Sequence, residues 1–358
     1  MTFLRFLSEP PSNYGYLNAR LRSRMTEFFP KETFLELASG SVGELELFLI
    51  DSNYGESYRK GLLQQNLSLN RRIEMALAHT ATRRLKEAKA FAEGEPADFF
   101  EILLSRSDIY NCRLILRACR TDSIGSGIEP FWHGYGALPE TFFQDLWKSG
   151  GAEKLIERAL LFGHPLAVQL AHSCRELKNS GNLLFAERRL LGEILKYCFG
   201  ILKAHKGKNA DLMREYLGRM IDIWNVNIFS RRENKSEDAL KLDEPFLEGG
   251  AYLSKRRLQE SRNLRELLIE TPWQKAITRL SDEGPAIPLQ SVMSSDFTLW
   301  QLKLYRHDPL GIEVAISYVA RQITEWQDLN VLVAGLELGF EPEEIVSRLT
   351  FAEDKDKA

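Results

Sequence analysis

Apolar residues recur along this chain at steps of three and four. Tyr14, Leu17, Leu21, Met25 and Phe28 set the pattern, which places them on one stripe of a helix of about four turns. Asn13 is positioned to cap that helix and Pro30 to stop it. The same period predicts helices over Glu32 to Leu37, Val42 to Ile50 and Leu69 to Phe91, before Glu93-Gly-Glu-Pro96 breaks it. Phe99, Phe100, Leu103, Ser107, Tyr110, Leu114 and Ala118 resume it. Asn111 falls at the border of that apolar face, where an amide ordinarily registers packed elements, because a buried polar group needs a specific partner to offset its desolvation. Helical patterns persist from Thr141 to Arg231, with breaks near Asn179-Ser-Gly181 and Lys206-Gly-Lys208. They return from about Phe246, are interrupted by Gly284-Pro-Ala-Ile-Pro288, and end in a frayed charged tail from Glu353 to Ala358. No alternating strand series with Asn-Gly or Asp-Gly turns is found, so the expected fold is all-α.

The pattern also repeats at a longer period. Leu146-Trp147-Lys148-Ser149 leads to His164-Pro165, and Leu258-Gln259-Glu260-Ser261 leads to Thr271-Pro272; a looser copy runs from Phe34 through Ser39 to Tyr54-Gly55. These read as helix starts. Later long helices carry Asp108-Ile-Tyr-Asn111, Asp222-Ile-Trp-Asn225 and, more distantly, Glu325-Trp-Gln-Asp328. Self-similarity at that spacing marks stacked or symmetric assemblies, so three helical units are expected, at residues 1–125, 126–237 and 238–358. The Gly-, Ser- and Pro-rich stretch from Arg120 to Glu140 supplies the first boundary. The charged run from Arg231 to Asp238, best solvated as a loop, supplies the second.

Composition narrows the possible partners. Lys and Arg number 47 against 50 Asp and Glu, a net charge of -3, so the overall field offers none of the attraction to phosphate that a dedicated nucleic-acid binder uses. No stretch of about 18 uncharged apolar residues is available to span a bilayer, and Met1 to Ser12 lacks the apolar run of a secretory signal. Cys112, Cys119, Cys174 and Cys198 are too few and too scattered to staple the chain, which fits reduced thiols in the cytosol. Cys112 and Cys119 share a helix face at core spacing, without the Cys-x-x-Cys interval of a zinc site.

Catalytic patterns are missing where they would be sought. There is no Gly-x-x-x-x-Gly-Lys-Ser/Thr loop and no Gly-x-Gly-x-x-Gly after a strand, so no catalytic or cofactor residue is assigned and intrinsic nucleotide hydrolysis is not expected. His164, His172 and Cys174 lack the four-residue spacing or third ligand of a helical metal site and are read as structural, so no metal is expected. Asp308-Pro-Leu-Gly311, like His164-Pro-Leu-Ala167, reads as a helix-start device with Asp308 as cap. Glu248-Gly249-Gly250 reads as a flexible entry to a helix, too short for a phosphate loop. Trp132, Trp224, Trp273 and Trp326 are dispersed, as core and interface residues are. Arg20 and Arg24 lie one turn apart at the edge of the first stripe. Their stems can cover apolar surface, or their guanidinium groups can grip an acidic partner, and they are the candidate partner-binding residues.

Tyr14-Gly-Tyr-Leu-Asn-Ala-Arg20-Leu-Arg22, Arg106-Ser-Asp-Ile-Tyr-Asn-Cys112, Gly163-His-Pro-Leu-Ala167, Phe246-Leu-Glu-Gly-Gly-Ala-Tyr252 and Asp308-Pro-Leu-Gly311 resemble, in that order, stretches of the C subunit of the V-type/A-type ATPase, whose eukaryotic counterpart is called the d subunit. The resemblance runs from about Tyr14 to Leu349. It implies a funnel of three pseudo-symmetric helical units around a central cavity. It also implies a non-catalytic rotor subunit between the central stalk, with its D- and F-type subunits, and the membrane proteolipid ring. Such a protein serves ATP-coupled ion transport from the cytoplasmic face of the membrane, as a peripheral part of the complex. Two departures stand out: Glu325 and Asp328 replace the Asp and Asn of the other units, and the loop from Trp132 to Gly136 matches no motif. A helical-repeat scaffold for other partners would share the periodicity but not the five stretches in register. An all-α enzyme would need acidic metal-binding clusters of the Asp-Asp-x-x-Asp kind, and none is found.

Overall fold

In a computed structural model of the chain, residues 12–62, 68–126, 129–242, 244–274 and 289–350 are described, and among them every regular element is helical. The Tyr14 stripe forms α1 (Tyr14–Arg24) and then tightens into a 3-10 turn, Met25–Glu27. Pro30 does not stop that helix. It is the N-cap of α2 (Lys31–Ala38), where its fixed extended backbone sets the entry. Then come α3 (Val42–Asp51), α4 (Gly55–Leu62), α5 (Leu69–Ala90) and α6 (Glu95–Arg120). Ser41 and Glu44 close a reciprocal capping box on α3, and Ser68 caps α5.

The middle of the chain forms α7 (Glu140–Trp147), α8 (Ala152–Leu161), α9 (Pro165–Ser180), α10 (Leu183–Leu202) and α11 (Lys208–Glu233). α9 begins with Pro165 and ends at Gly181, whose left-handed backbone (φ 66°) lets the chain leave the helix. The charged run from Arg231 is only partly a loop: α11 continues through Glu233, and a short α12 (Glu237–Leu240) follows. Helix packing outweighs solvation of the charges there, since Ile228, Phe229 and Ala239 are buried. The remaining α-helices among the described residues are α13 (Lys255–Glu260), α14 (Leu264–Leu267), α15 (Leu289–Lys303), α16 (Glu313–Glu337) and α17 (Pro342–Ser347). The expected breaks at Gly284 to Pro288 and the tail from Glu353 lie outside the described residues.

Two readings of helix starts also need correction. The Leu-x-x-Ser stretches close short helices instead of opening them: α7 ends at Trp147 and α13 at Glu260, each inside its copy, and α2 ends at Ala38 before Ser39. Serine favours helix ends of both kinds, so composition alone left the polarity open. Asp308 does not cap a helix. Its Oδ1 accepts from Leu310 N-H at 2.9 Å in a turn, and α16 starts later, with Ile312 as N-cap.

The chain forms two compact units, Met1–Leu103 with Thr298–Ala358, and Leu104–Phe297. In the first, α16 packs along α5, α1 and α2 and is its spine; every residue from Gly311 to Ala320 is buried. A helix covered on all sides belongs at a centre. In the second, α8, α9, α10 and α11 pack in sequence, and α11 contributes Val226, Ile228 and Phe229 to a cluster with Leu253, Leu258, Leu267 and Trp273.

A succession of helix lengths recurs. Helices of 8 and 10 residues precede a pair of 22 and 26 in α2, α3, α5 and α6; helices of 8 and 10 precede a pair of 20 and 26 in α7, α8, α10 and α11. Short helices of 6 and 4 residues again precede long ones of 15 and 25 in α13 to α16. Each series ends on the helix that carries a member of the Asp-x-x-Asn set.

Candidate functional site

The Asp-x-x-Asn positions are buried and bond to backbone groups far along the chain. Asn111, wholly buried on α6, donates from Nδ2 to His133 C=O at 2.8 Å and accepts His133 N-H on Oδ1 at 2.9 Å, across 22 residues of chain. One turn earlier, Asp108 accepts Ala137 N-H and Leu138 N-H, each at 2.9 Å. Only a side chain that donates and accepts in one plane can satisfy both backbone groups of a single residue, and a carboxylate can take two N-H donors. Together they pin a loop to a helix. His133 also stacks on Tyr110 with ring centres 3.9 Å apart. Burial, with Arg106 nearby, lowers its pKa to about 3, so the imidazole is neutral.

α11 repeats the device. Asn225 donates to Leu247 C=O and accepts Leu247 N-H, both at 2.8 Å, again across 22 residues. Asp222 accepts Tyr252 N-H at 2.8 Å and Leu253 N-H at 3.3 Å. A glycine makes room for each aspartate: a Cβ at Gly136 would strike the Asp108 carboxylate, and one at Gly250 the Asp222 carboxylate. Gly136 follows Asp108 by the same interval as Gly250 follows Asp222. Gly249-Gly250 is therefore a close-approach site more than a flexible helix entry, and the unmatched loop from Trp132 to Gly136 is the counterpart of Phe246 to Gly250. The common interval from aspartate to glycine was the available sequence signal.

α16 carries the variant. Asp328 accepts from Thr350 N-H at 3.0 Å and from the Thr350 hydroxyl at 2.9 Å, once more across 22 residues. Glu325 accepts Phe29 N-H at 2.7 Å, the Tyr54 hydroxyl at 2.6 Å and the guanidinium of Arg84 at 3.1 Å. Arg84 is itself buried, lies over the rings of Phe28 and Tyr54, and also donates to Gln322 at 3.1 Å. Burial pushes the carboxyl of Glu325 up despite these partners, and that of Asp328 up to about 6. Asp222 is likewise pushed up to about 6 by burial, against its backbone donors.

Asn13 is the N-cap residue of α1, but its side chain makes no capping bond; the amide instead donates to Phe91 C=O and accepts Glu93 N-H, a further two-point clamp. Arg20 is exposed and Arg24 half-buried. Both guanidinium groups lie over the Phe91 ring, at 4.8 and 5.1 Å, and Arg24 pairs with Glu87 at 2.6 Å. The fold thus brings the two arginines together on one aromatic face. The other expected structural residues are distributed through the fold. His164 caps α9, accepting Leu166 N-H on Nδ1, and Cys174 Sγ lies 3.8 Å from Cys119 Sγ, a proximity that their separation of 55 positions hid. Trp132, Trp273 and Trp326 are buried, and Arg113 covers Trp224.

Each unit also has a cleft. In the first, an open cleft of about 300 Å³ lies near Phe29, Phe34, Leu299, Arg321, Thr324 and Asp328; in the second, one of about 580 Å³ lies near Phe229, Arg232, Phe246, Lys255, Leu258 and Arg262. Periodicity gave no sign of either, since their walls come from distant helices. Among the described residues no helix is long and apolar enough to cross a membrane, and no group of three His, Cys, Asp or Glu side chains could hold a metal ion.

An all-helical body in which buried Asp and Asn side chains hold the protein's own backbone belongs to the all-α class. The pattern of the family described as ATP synthase (C/AC39) subunit matches residues 17–348, and the chain belongs to that family. It is 24% identical over 327 residues to the V-type ATP synthase C subunit of Thermus thermophilus, covering 89% of this chain and 92% of that one. It is 21% identical to the A-type ATP synthase C subunit of Haloferax volcanii, covering 94% and 97%. To that of Methanosarcina acetivorans it is 22% identical, covering 91% and 89%.

Proposed function

We propose that this protein is the non-catalytic rotor coupling subunit of a V/A-type rotary ATPase, joining the central stalk to the membrane proteolipid ring. The family match over residues 17–348 carries this reading. Three helical units, at residues 1–125, 126–237 and 238–358, form a funnel around a central cavity that receives the D- and F-type stalk subunits, and the opposite end rests on the ring at the cytoplasmic face. What supports the three units is the threefold use of one clamp, on α6, α11 and α16, across the same 22 residues of chain. Torque transmission requires a body that does not twist internally. Pinning loops to long helices through paired, buried hydrogen bonds supplies that stiffness, because each broken pair strands buried polar groups. Arg20 and Arg24 contribute to one partner contact: the Phe91 ring orients both guanidinium groups, leaving donors for carboxylates of the partner.

The test is binding of the purified chain to stalk subunits and to proteolipid rings, measured separately at two salt concentrations, with wild type and with Arg20→Glu/Arg24→Glu. Binding of both partners by wild type is expected, with salt-sensitive loss of one in the double variant. If the folded wild type binds neither, the rotor assignment falls. If the variant binds both as before, the arginines leave the interface. Small-angle scattering adds a shape criterion, since a funnel has a central opening and a curved helical scaffold has none.

A further inference from the structure

We propose that the cleft of the first unit is a docking site for an acidic segment of a partner protein, one with carboxylates flanking a bulky apolar side chain. The proposal uses helices other than α1 and does not depend on the rotor reading. Phe29 and Phe34 line the cleft beside Leu299 and Leu302 from the last turn of α15, and they give it an apolar floor. Four basic side chains stand around that floor: Lys31 at the start of α2, Lys303 at the end of α15, Arg306 and Arg321. Lys303, Arg306 and Arg321 are exposed. This is a local excess of positive charge on a chain whose net charge is -3.

Two carboxylates also line the cleft, but they are already engaged. Glu325 is held by Phe29 N-H, Tyr54 and Arg84, and Asp328 by both donors of Thr350. The hydroxyl of Thr324 is buried, its residue 8% exposed, and among the described residues it finds no hydrogen-bond partner. A buried hydroxyl left in that state costs free energy, and rotation of its side chain toward the cleft would let an incoming acceptor recover it. An acceptor near Thr324, negative charge for the basic rim and an apolar group for the floor are together the chemistry of an acidic, apolar peptide segment. A volume of about 300 Å³ accommodates a few side chains of such a segment, and not a folded domain. The rim would set encounter rate and selectivity, and the apolar contact the residence time.

The probe is a fluorescent eight-residue peptide with Leu or Phe between Asp and Glu residues, compared with the same peptide carrying Lys in place of the acids. Anisotropy titration of the full chain should show binding of the acidic peptide alone, weaker at higher salt. Lys303→Glu/Arg321→Glu should weaken it by about tenfold or more, since each reversal replaces an attraction with a repulsion. Arg262→Glu, in the cleft of the second unit, should leave it unchanged. Circular dichroism and thermal melts establish that the variants fold. Equal binding of both peptides, no binding, or affinity indifferent to the cleft reversals in folded protein overturns the proposal. Displacement by inorganic phosphate at comparable concentration also overturns it, making the cleft a small-anion site.

Discussion

The clamps of α11 and α16 hold chain at the same interval with opposite chemistry. On α11 the pair is an aspartate and a neutral amide, and every partner is backbone. On α16 glutamate and aspartate take their places, and the glutamate is answered by a buried arginine, a tyrosine hydroxyl and one backbone N-H. The first is a set of matched hydrogen bonds in which backbone donors alone answer its one carboxylate. The second is an ionic network, whose stability depends on keeping every member, because a buried charge that loses its partner is costly. One geometrical task can thus be kept while its energetics are exchanged, and the exchange changes what breaks it.

The largest contrast should come from the ionic side. Arg84→Met leaves Glu325 buried without its cation and should cost about 3–5 kcal/mol in a denaturant titration. Adding Glu325→Gln should recover part of that loss, and failure to do so would mean that the arginine matters by packing alone. On the neutral side, Asn225→Leu strands both backbone groups of Leu247, which is expected to cost on the order of 3 kcal/mol. Asn111→Leu should cost less, because the bonds to His133 are only partly buried where those to Leu247 are buried. Equal losses would place the energy in the amide itself and not in its surroundings.

Gly250→Ala comes next, at about 2 kcal/mol, since its methyl group meets the Asp222 carboxylate and Leu253 C=O and one of them must move. The smallest effect concerns pH. Asp222 and Asp328 both sit at about 6, above their ordinary value of 3.8, so the folded chain takes up protons there before the unfolded chain does. Their contribution is therefore full below pH 3.8 and lost as pH rises through 6, so lowering pH from 7 to 5 should add about 1 kcal/mol for each group. Asp328→Asn keeps the oxygen that accepts both Thr350 donors, so it should be nearly neutral at pH 7 and remove its share of that slope, read from melts across the same range. A slope unchanged by the substitution would show that other groups set it.

The helical fold and much of its segmentation were legible because apolar spacing, caps and glycine breaks act within one or two turns. The long helices α5 and α6 were within reach for that reason, and so was the register role of Asn111. The partners were not. His133, Leu247 and Thr350 each lie 22 residues downstream, and nothing in a local window indicates that a loop returns to its own helix. Arg84 illustrates the same limit: as one cation among many on α5 it reads as solvated, yet the fold places it between Glu325 and two aromatic rings.

By itself the sequence determined an all-α chain, the positions of its Asp-x-x-Asn set and the family resemblance, since periodicity and short motifs are properties of neighbouring residues. Tertiary structure alone decided that these residues are clamps, that one of the three is ionic, that Arg20 and Arg24 share the Phe91 ring, and that basic side chains from distant segments converge on one cleft. Burial, long-range hydrogen bonding and the sharing of charge come into being only when remote segments meet, and no local pattern contains the distance between them.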